Sequence, residues 1–337
     1  MIQNGVSVII CCHNSAERLP DVLKHLERQK FANPVPWEII IVDNASTDNT
    51  SEVAKIHWKG KREIINVISE PVAGLSNARI AGINKAKYEY LTFIDDDNWV
   101  CNDWVERVYS IMNKHSDVAI CGGQGSIVTD GKIPEWFNKF HNAFAVGNQF
   151  ETEGYLDNSR LYLYGAGLSI KKSILNELFS KGFKFLLSGR KGAGISSGED
   201  YELCLATRLL GYKLWYDPNL KFNHVISHLK LNKHYLEKLY ISFGKASVIL
   251  DLYKARVLNY KGLNMLKYNN YLMSLFYSLY WIFKLLFMSP LSKRYYGINQ
   301  GYFRFLYSWY NFTAKIKSYK RYKKINNYIV NLASDVN

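Results

Sequence analysis

Three carboxylates stand side by side at Asp95, Asp96 and Asp97, directly after the strand-forming run YLTFI. Each ionised neighbour makes the next harder to ionise, so the triplet asks for a compensating charge. One answer is that a strand has ended and a polar loop has begun. The other is a divalent cation, because Mg²⁺ and Mn²⁺ prefer carboxylate oxygens and often share them with the phosphates of a substrate. Two further acidic positions raise the same question. Asp43 closes the apolar run WEIIIVD, where the competing role is a cap at a strand end, and Glu199 and Asp200 close the stretch SGRKGAGISSGED. Acidic residues in the first turn of a helix are favoured by the dipole and by capping, and Ser196 and Ser197 sit where a capping box would begin. Capping accounts for the acidity but not for the glycines before it. These are too many for an ordered element and indicate a mobile active-site loop over 188–200.

The elements that must hold these residues alternate along the chain. Residues 6–12 form a short β-branched apolar run, HNSAERLP breaks it, and leucines recur at helical spacing over 19–26. WEIIIVD (37–43) reads as a second strand, NASTDNT as a turn rich in capping residues, and 51–58 as a helix. Strands at 64–69 and 90–94 enclose a helix over 76–85. Such alternation implies right-handed βαβ units on a mostly parallel sheet, with ligands at the carboxyl ends of the strands. Chain order therefore puts Asp43 and Asp95–Asp97 on one ligand-binding edge. Further on, YLYGAGLSI (162–170) reads as a strand whose small residues, Gly167 among them, let the backbone pass something bulky. YELCLATRLLGY reads as an amphipathic helix closed by Gly211.

The charge is unevenly spread. The 337 residues carry +14, yet 230–337 hold 18 Lys and Arg against 3 Asp and Glu, so residues 1–229 are close to neutral. The expected division is a catalytic part over 1–229 and a basic, aromatic, helical extension over 230–337. With 48% hydrophobic residues the chain has enough apolar material for a large core. Its five cysteines are odd in number and lack C-x-x-C spacing, so reduced thiols are expected. A strand-like run begins almost at Met1 without a basic leader, and a cytoplasmic location is expected.

Five stretches in order, VSVIICCHN, IIIVDNASTDNT, GLSNARIAGINKAKYEYLTFIDDDN, GAGLSIKK and GEDYELCLATRLLGYKLWYDP, resemble the family 2 glycosyltransferases of the GT-A fold, over roughly residues 5–228. The resemblance implies an α/β nucleotide-binding fold with a central mostly parallel sheet, and an inverting transfer of a sugar from a nucleotide-diphosphate sugar to a hydroxyl. In similar enzymes the acidic triplet is a D-x-D motif, which makes Asp97 the metal ligand, Asp95 a partner of ribose or metal, and Mn²⁺ or Mg²⁺ the cofactor. Asp96 stays ambiguous. Asp43 resembles the carboxylate that accepts the base N–H, and His13 and Asn14 the segment lying along the base. Arg79 resembles the Arg of an A-R-N-x-G run that reaches the nucleotide or fixes an acidic loop residue, although Ile80 stands where Asn is usual; the competing role is a solvent-facing Arg. Glu199 and Asp200 resemble an E-D pair whose second member is the general base. His224 resembles a downstream histidine that completes metal coordination, with His228 as competitor. A UDP-sugar is the first expectation for the donor, and a glycan or lipid-linked hydroxyl in bacterial surface-polysaccharide assembly for the acceptor.

The extension adds an expectation of its own. Projected at 100° per residue, residues 271–288 put Leu272, Leu275, Phe276, Leu279, Ile282, Phe283 and Leu286 on one face and Asn270, Ser274, Ser278 and Lys284 on the other. That asymmetry suits an interfacial helix, and the Lys and Arg between 293 and 324 would be drawn to anionic lipid, on the inner face of the cytoplasmic membrane. The alternative is a helix packing its apolar face on the catalytic part. Three rival functions are disfavoured. A nucleic-acid binder would use the basic tail, but no recognition motif is present and the acidic edge would repel phosphate in the absence of a metal. An inactive carbohydrate-binding scaffold would be expected to lose Asp97 or Asp200. A sugar nucleotidyltransferase would carry a Gly- and Arg-rich loop where CCHNSAERLP stands.

Overall fold

The computed structural model describes residues 2–61, 64–187, 197–288 and 298–334. In chain order the front part runs β1 (Gln3–Cys12), α1 (Leu19–Glu27), β2 (Trp37–Asn44), α2 (Thr50–His57), β3 (Ile65–Glu70), α3 (Leu75–Lys85) and β4 (Tyr88–Asp95). It continues with β5 (Asn98–Val100), α4 (Trp104–Lys114), β6 (Val118–Val128), β7 (Gly154–Tyr155), β8 (Ser169–Lys171), α5 (Lys172–Ser180), α6 (Glu199–Leu209) and β9 (Lys213–Val225). Helices α7 (Lys233–Val257), α8 (Gly262–Asn269), α9 (Tyr271–Met288), α10 (Gln300–Lys317) and α11 (Tyr319–Ser334) follow.

The described strands form one sheet in the order β3-β2-β1-β4-β8-β6-β9-β5, with β7 on β9. Its first half is parallel, as the βα alternation requires. Residues of β1 alternate between two layers. Val6, Val8 and Ile10 pack with Leu19, Leu23 and Leu26 of α1 and Trp104 of α4, while Ile9 faces Ala78 and Ile83 of α3. Burial on both faces is why these strands are apolar throughout rather than alternating. Register does the positioning: Cys12 pairs with Asp43 and Cys11 with Asp95, so both carboxylates stand level at the carboxyl edge, one on each side of β1. Two strand spacings separate them by about 10 Å.

Two sequence expectations change. Residues 162–168 are irregular, and of the YLYGAGLSI run only Ser169 and Ile170 are strand, as the start of β8. Gly167 takes φ +71°, and a Cβ there would meet the buried Trp104 indole at 2.6 Å, so the bulky neighbour is real although the strand is not. The triplet is also not the start of a loop. Asp96 and Asp97 make a tight turn into β5, which pairs antiparallel with β9 and sets Asn98 opposite His224.

The C-terminal helices share the core. Ala246, Val248, Leu252 and Tyr253 of α7 and Tyr322, Ile329 and Leu332 of α11 join the apolar cluster that contains Leu203 and Cys204 of α6. A second cluster joins Leu236, Leu239 and Phe303 to Phe137, Phe140 and Phe144. A Cβ on Gly244 would meet the Tyr307 carbonyl oxygen at 2.5 Å, and this close approach is what lets α10 lie against α7.

Candidate functional site at the carboxyl edge of the sheet

Asp43 ends β2 with its two oxygens in different situations. Oδ2 accepts from the Ser51 hydroxyl at 2.5 Å, whereas Oδ1 is buried and has no hydrogen-bond partner among the described residues. A buried carboxylate oxygen is costly to leave unsatisfied, so this atom is where a donor belongs. His13 and Asn14 sit beside it after β1. The His13 ring is held by Nδ1 on the Asn44 carbonyl at 2.8 Å. Asn14 has φ +51°, and its Oδ1 accepts from the Thr47 N–H at 2.8 Å, tying the loop after β1 to the loop after β2. These two side chains shape the loops around Asp43.

The triplet divides its labour. Asp96 is taken up by the segment that leads into α1: Oδ2 accepts from the Ser15 hydroxyl and from Arg18 Nη2 at 2.6 Å. Asp97 turns the other way, with His224 Nε2 at 3.7 Å from its Oδ1. His224 donates from Nδ1 to the Phe144 carbonyl at 2.8 Å, which leaves Nε2 facing the carboxylate. Burial opposes the imidazolium, but Asp97, and then Asp95, hold the His224 pKa above its ordinary value. Asp95 ends β4 beside Cys11, whose thiol burial pushes up to about 12. His228 is elsewhere, half-exposed and paired with Asp130 at 3.0 Å.

Among the described residues no group of three or more His, Cys, Asp and Glu could hold a metal by itself. The Asp97–His224 pair offers a carboxylate oxygen and an imidazole nitrogen, donors that suit a divalent cation taking the rest of its ligands from outside the protein. The second ring nitrogen, fixed on a carbonyl, is what a metal-binding histidine requires.

The opposite wall is built by α3 and α6. Arg79 is not a surface residue: its guanidinium donates from Nη1 to Glu199 Oε1 at 2.5 Å, with both side chains largely buried, and lies 5.5 Å over the Phe93 ring. Burial disfavours the Arg79 charge, yet Glu199 and Asp95 together raise its pKa. Asp200 follows in the first turn of α6, where Oδ2 accepts from the Gly165 N–H at 2.7 Å. A Cβ on Gly165 would crowd that oxygen at 3.0 Å, so glycine is what permits the contact. Oδ1 of Asp200 has no hydrogen-bond partner among the described residues, and the carboxylate lines a pocket with Arg79, Phe93 and Phe185. The competing reading, capping by Ser196 or Ser197, falls in part outside the described residues at Ser196, and no side-chain cap is seen among those described. Gly198, at φ +104°, occupies the N-cap, and the Ser197 hydroxyl lies 2.8 Å from that of Ser242 on α7. The acidity at the start of α6 thus answers to Arg79 and Gly165, not to a cap. The loop expected to be mobile lies, over 188–196, outside the described residues.

Several further residues build the site. Ser15, Arg18 and Ser51 carry no chemical signature beyond their proximity to the recognised runs. Glu202 does carry one, an acid on the inward side of a helix one turn after Glu199. It accepts from the N–H groups of Leu186 and Leu187 at 3.1 and 2.9 Å, and burial pushes its carboxyl up to about 7. It anchors the segment that enters 188–196. Next to it a cavity of about 450 Å³ opens between α3 and that segment, lined by Asn77, Ile80, Phe179, Phe183, Lys184 and Phe185.

With this geometry, residues 7–179 match the sequence profile described as glycosyl transferase family 2. Glycosyltransferase GlyG of Streptococcus pneumoniae is 28% identical over 53% of this chain and 61% of its own. Glycosyltransferase GlyA of the same organism is 31% identical over 36% of this chain and 17% of its own. The chain therefore spans less than two thirds of these relatives. Among solved structures, S. aureus TarS 1-349 covers 94% of this chain with 91% of its own, at 14% identity and a TM-score of 0.54, a likeness of fold.

Proposed function

The chain belongs to glycosyl transferase family 2, and on that premise we propose that it moves a sugar, with inversion, from a uridine-diphosphate sugar to a hydroxyl of a glycan or lipid-linked acceptor. Uridine is favoured by the buried, unpartnered Asp43 Oδ1, an acceptor suited to an imide N–H. It is also favoured by the solved complexes of S. aureus TarS with UDP and with UDP-GlcNAc, whose fold this chain shares. A role in surface-polysaccharide assembly draws support from a relative described as a putative teichuronic acid biosynthesis glycosyltransferase, TuaG of Bacillus subtilis.

In this reading Asp97 and His224 would hold Mn²⁺ or Mg²⁺, which would supply Lewis-acid neutralisation of the charge that collects on the diphosphate leaving group. Asp95 is placed for the ribose or the metal. Asp96, already bound by Arg18 and Ser15, fixes the turn that aims Asp97. The acceptor oxygen attacks the anomeric carbon in line, the bond to the diphosphate breaks, and the hydroxyl proton passes to Asp200 Oδ1. Gly165 keeps the other Asp200 oxygen fixed during that transfer, and Arg79 holds Glu199 and so the first turn of α6.

The observation that carries the reading is the strand pairing that brings His224 to Asp97 on the edge where Asp43 and Asp95 stand level. Calorimetry of UDP binding with and without Mn²⁺ tests it. Wild-type protein should bind UDP in a Mn²⁺-dependent way, and Asp97→Ala should lose that dependence with an unchanged circular-dichroism melt. Mn²⁺-dependent binding that survives in Asp97→Ala removes this carboxylate from the metal.

A further inference from the structure

Helix α9 is seated the wrong way round for a water-soluble surface. Ser274 and Ser278 are 1% and 5% exposed, while Phe276 and Phe287 are 66% and 86% exposed, joined on the outer face by Leu272, Tyr280 and Phe283. The inward serines are well satisfied. Lys315 Nζ, buried on α10, donates to Ser278 Oγ at 2.8 Å and to the Ser274 carbonyl at 3.3 Å. Asn311 accepts from Ser278 at 2.8 Å and donates to Ser247 of α7 at 2.6 Å. The alternative of an apolar face packed on the catalytic part is therefore not what the helix shows: of that face Ile282 is buried and Leu275, Leu279 and Leu286 are half-buried, while Leu272, Phe276 and Phe283 are exposed. A polar seam fixes the rotation of the helix and leaves the aromatic row outside.

We propose that this outer row of α9 lies in the interface of an anionic lipid bilayer, parallel to its plane. Among the described residues no helix is long and apolar enough to cross a membrane, and a one-sided apolar helix next to cations is the form that rests in the headgroup region. The cations are adjacent. Tyr271, at the start of α9, has its ring 4.9 Å from that of Tyr319, which begins the exposed run containing Lys320, Arg321, Lys323 and Lys324. Lys267 and Lys284 sit over the rings of Tyr277 and Trp281 on the same helix, 5.1 and 4.8 Å from their centroids. Charge decides between occupants. A second copy would bring together two extensions that each hold 18 Lys and Arg against 3 Asp and Glu, whereas anionic headgroups complement them. This inference stands on α9 and its neighbours, independently of the sugar-transfer chemistry, and its readout is not activity.

Co-sedimentation with vesicles of equal parts phosphatidylglycerol and phosphatidylcholine tests it on the full chain. Wild-type protein should pellet with them, pellet at least about tenfold less with pure phosphatidylcholine, and be released by raising salt, which screens surface charge. Phe276→Glu with Phe283→Glu should lower the bound fraction by a similar factor while the melting temperature stays unchanged, because both side chains are exposed. Neutralising Lys320, Arg321, Lys323 and Lys324 to Gln should flatten the dependence on anionic lipid. The proposal is overturned if wild-type protein ignores vesicles at every charge density, or if the double variant binds as well as wild type. A sedimentation-velocity shift from dimer to monomer in the double variant, without vesicle binding by wild type, assigns the row to a second copy instead.

Discussion

The carboxyl edge of the sheet and the outer face of α9 depart from the rule of apolar inside and polar outside in opposite directions. At the edge, charged groups are drawn inward: Glu199 is buried against Arg79, and Asp43 keeps an unpartnered oxygen. On α9 the apolar groups are turned outward over a buried seam of serine, asparagine and lysine. Both arrangements are costly for the protein alone, and both would become favourable with the neighbour proposed for each, a nucleotide sugar in one case and a lipid surface in the other. The two regions are also joined mechanically. The C-terminal Leu236, Leu239 and Phe303 pack on Phe140 and Phe144, and the Phe144 carbonyl orients His224. The helical extension thus supports His224 as well as carrying the outer row.

Substitutions can break this contrast. The largest effect is expected at the base. Asp200→Asn keeps an acceptor for the Gly165 N–H but cannot take the acceptor proton, so turnover should fall roughly 10²- to 10⁴-fold while UDP affinity barely moves. Steady-state kinetics with calorimetry separate the two, and a parallel loss of affinity would make Asp200 a binding residue. Next is the buried ion pair. Arg79→Ala takes the guanidinium away from the buried Glu199 carboxylate, a change that costs about 3–5 kcal/mol in such settings. A urea-denaturation midpoint within error of wild type would show that Glu199 relaxes to solvent and that the edge is less closed than described.

The smallest effects sharpen the comparison on α9, where the usual hierarchy should invert. Ser278→Leu adds apolar bulk to the polar seam, and overpacking together with the stranded Lys315 and Asn311 should lower stability by about 1–3 kcal/mol. Phe276→Ser, on the exposed row, should stay within about 0.5 kcal/mol of wild type. Paired thermal melts check both. A larger loss from Phe276→Ser than from Ser278→Leu would mean that the helix is rotated in solution and its apolar face is packed.

Much of the edge was legible in the sequence because its causes are local. Apolar runs ending in Asp43 and Asp95, each separated by a helical spacing, define βα units, and the handedness of those units puts strand ends on one edge. Arg79, Glu199 and Asp200 could be read as candidates for the same reason, since the runs holding them are short and contiguous. The irregular 162–168 segment differs from its strand-like composition, and at Gly167 the space for a side chain is taken by Trp104 from α4, a neighbour that no local signal marks.

What the sequence by itself determined, then, is which residues have the chemistry and which strand ends carry them. Tertiary structure alone decided how that chemistry is allotted. Asp96 is spoken for by Arg18, 78 positions away, and Asp97 by His224 through a strand pairing that no local signal marks. The rotation of α9 belongs to the same class of fact. A helical projection separates two faces but carries no information about which one meets the protein, because that depends on whether a partner helix offers apolar surface or, as Lys315 and Asn311 do here, hydrogen bonds.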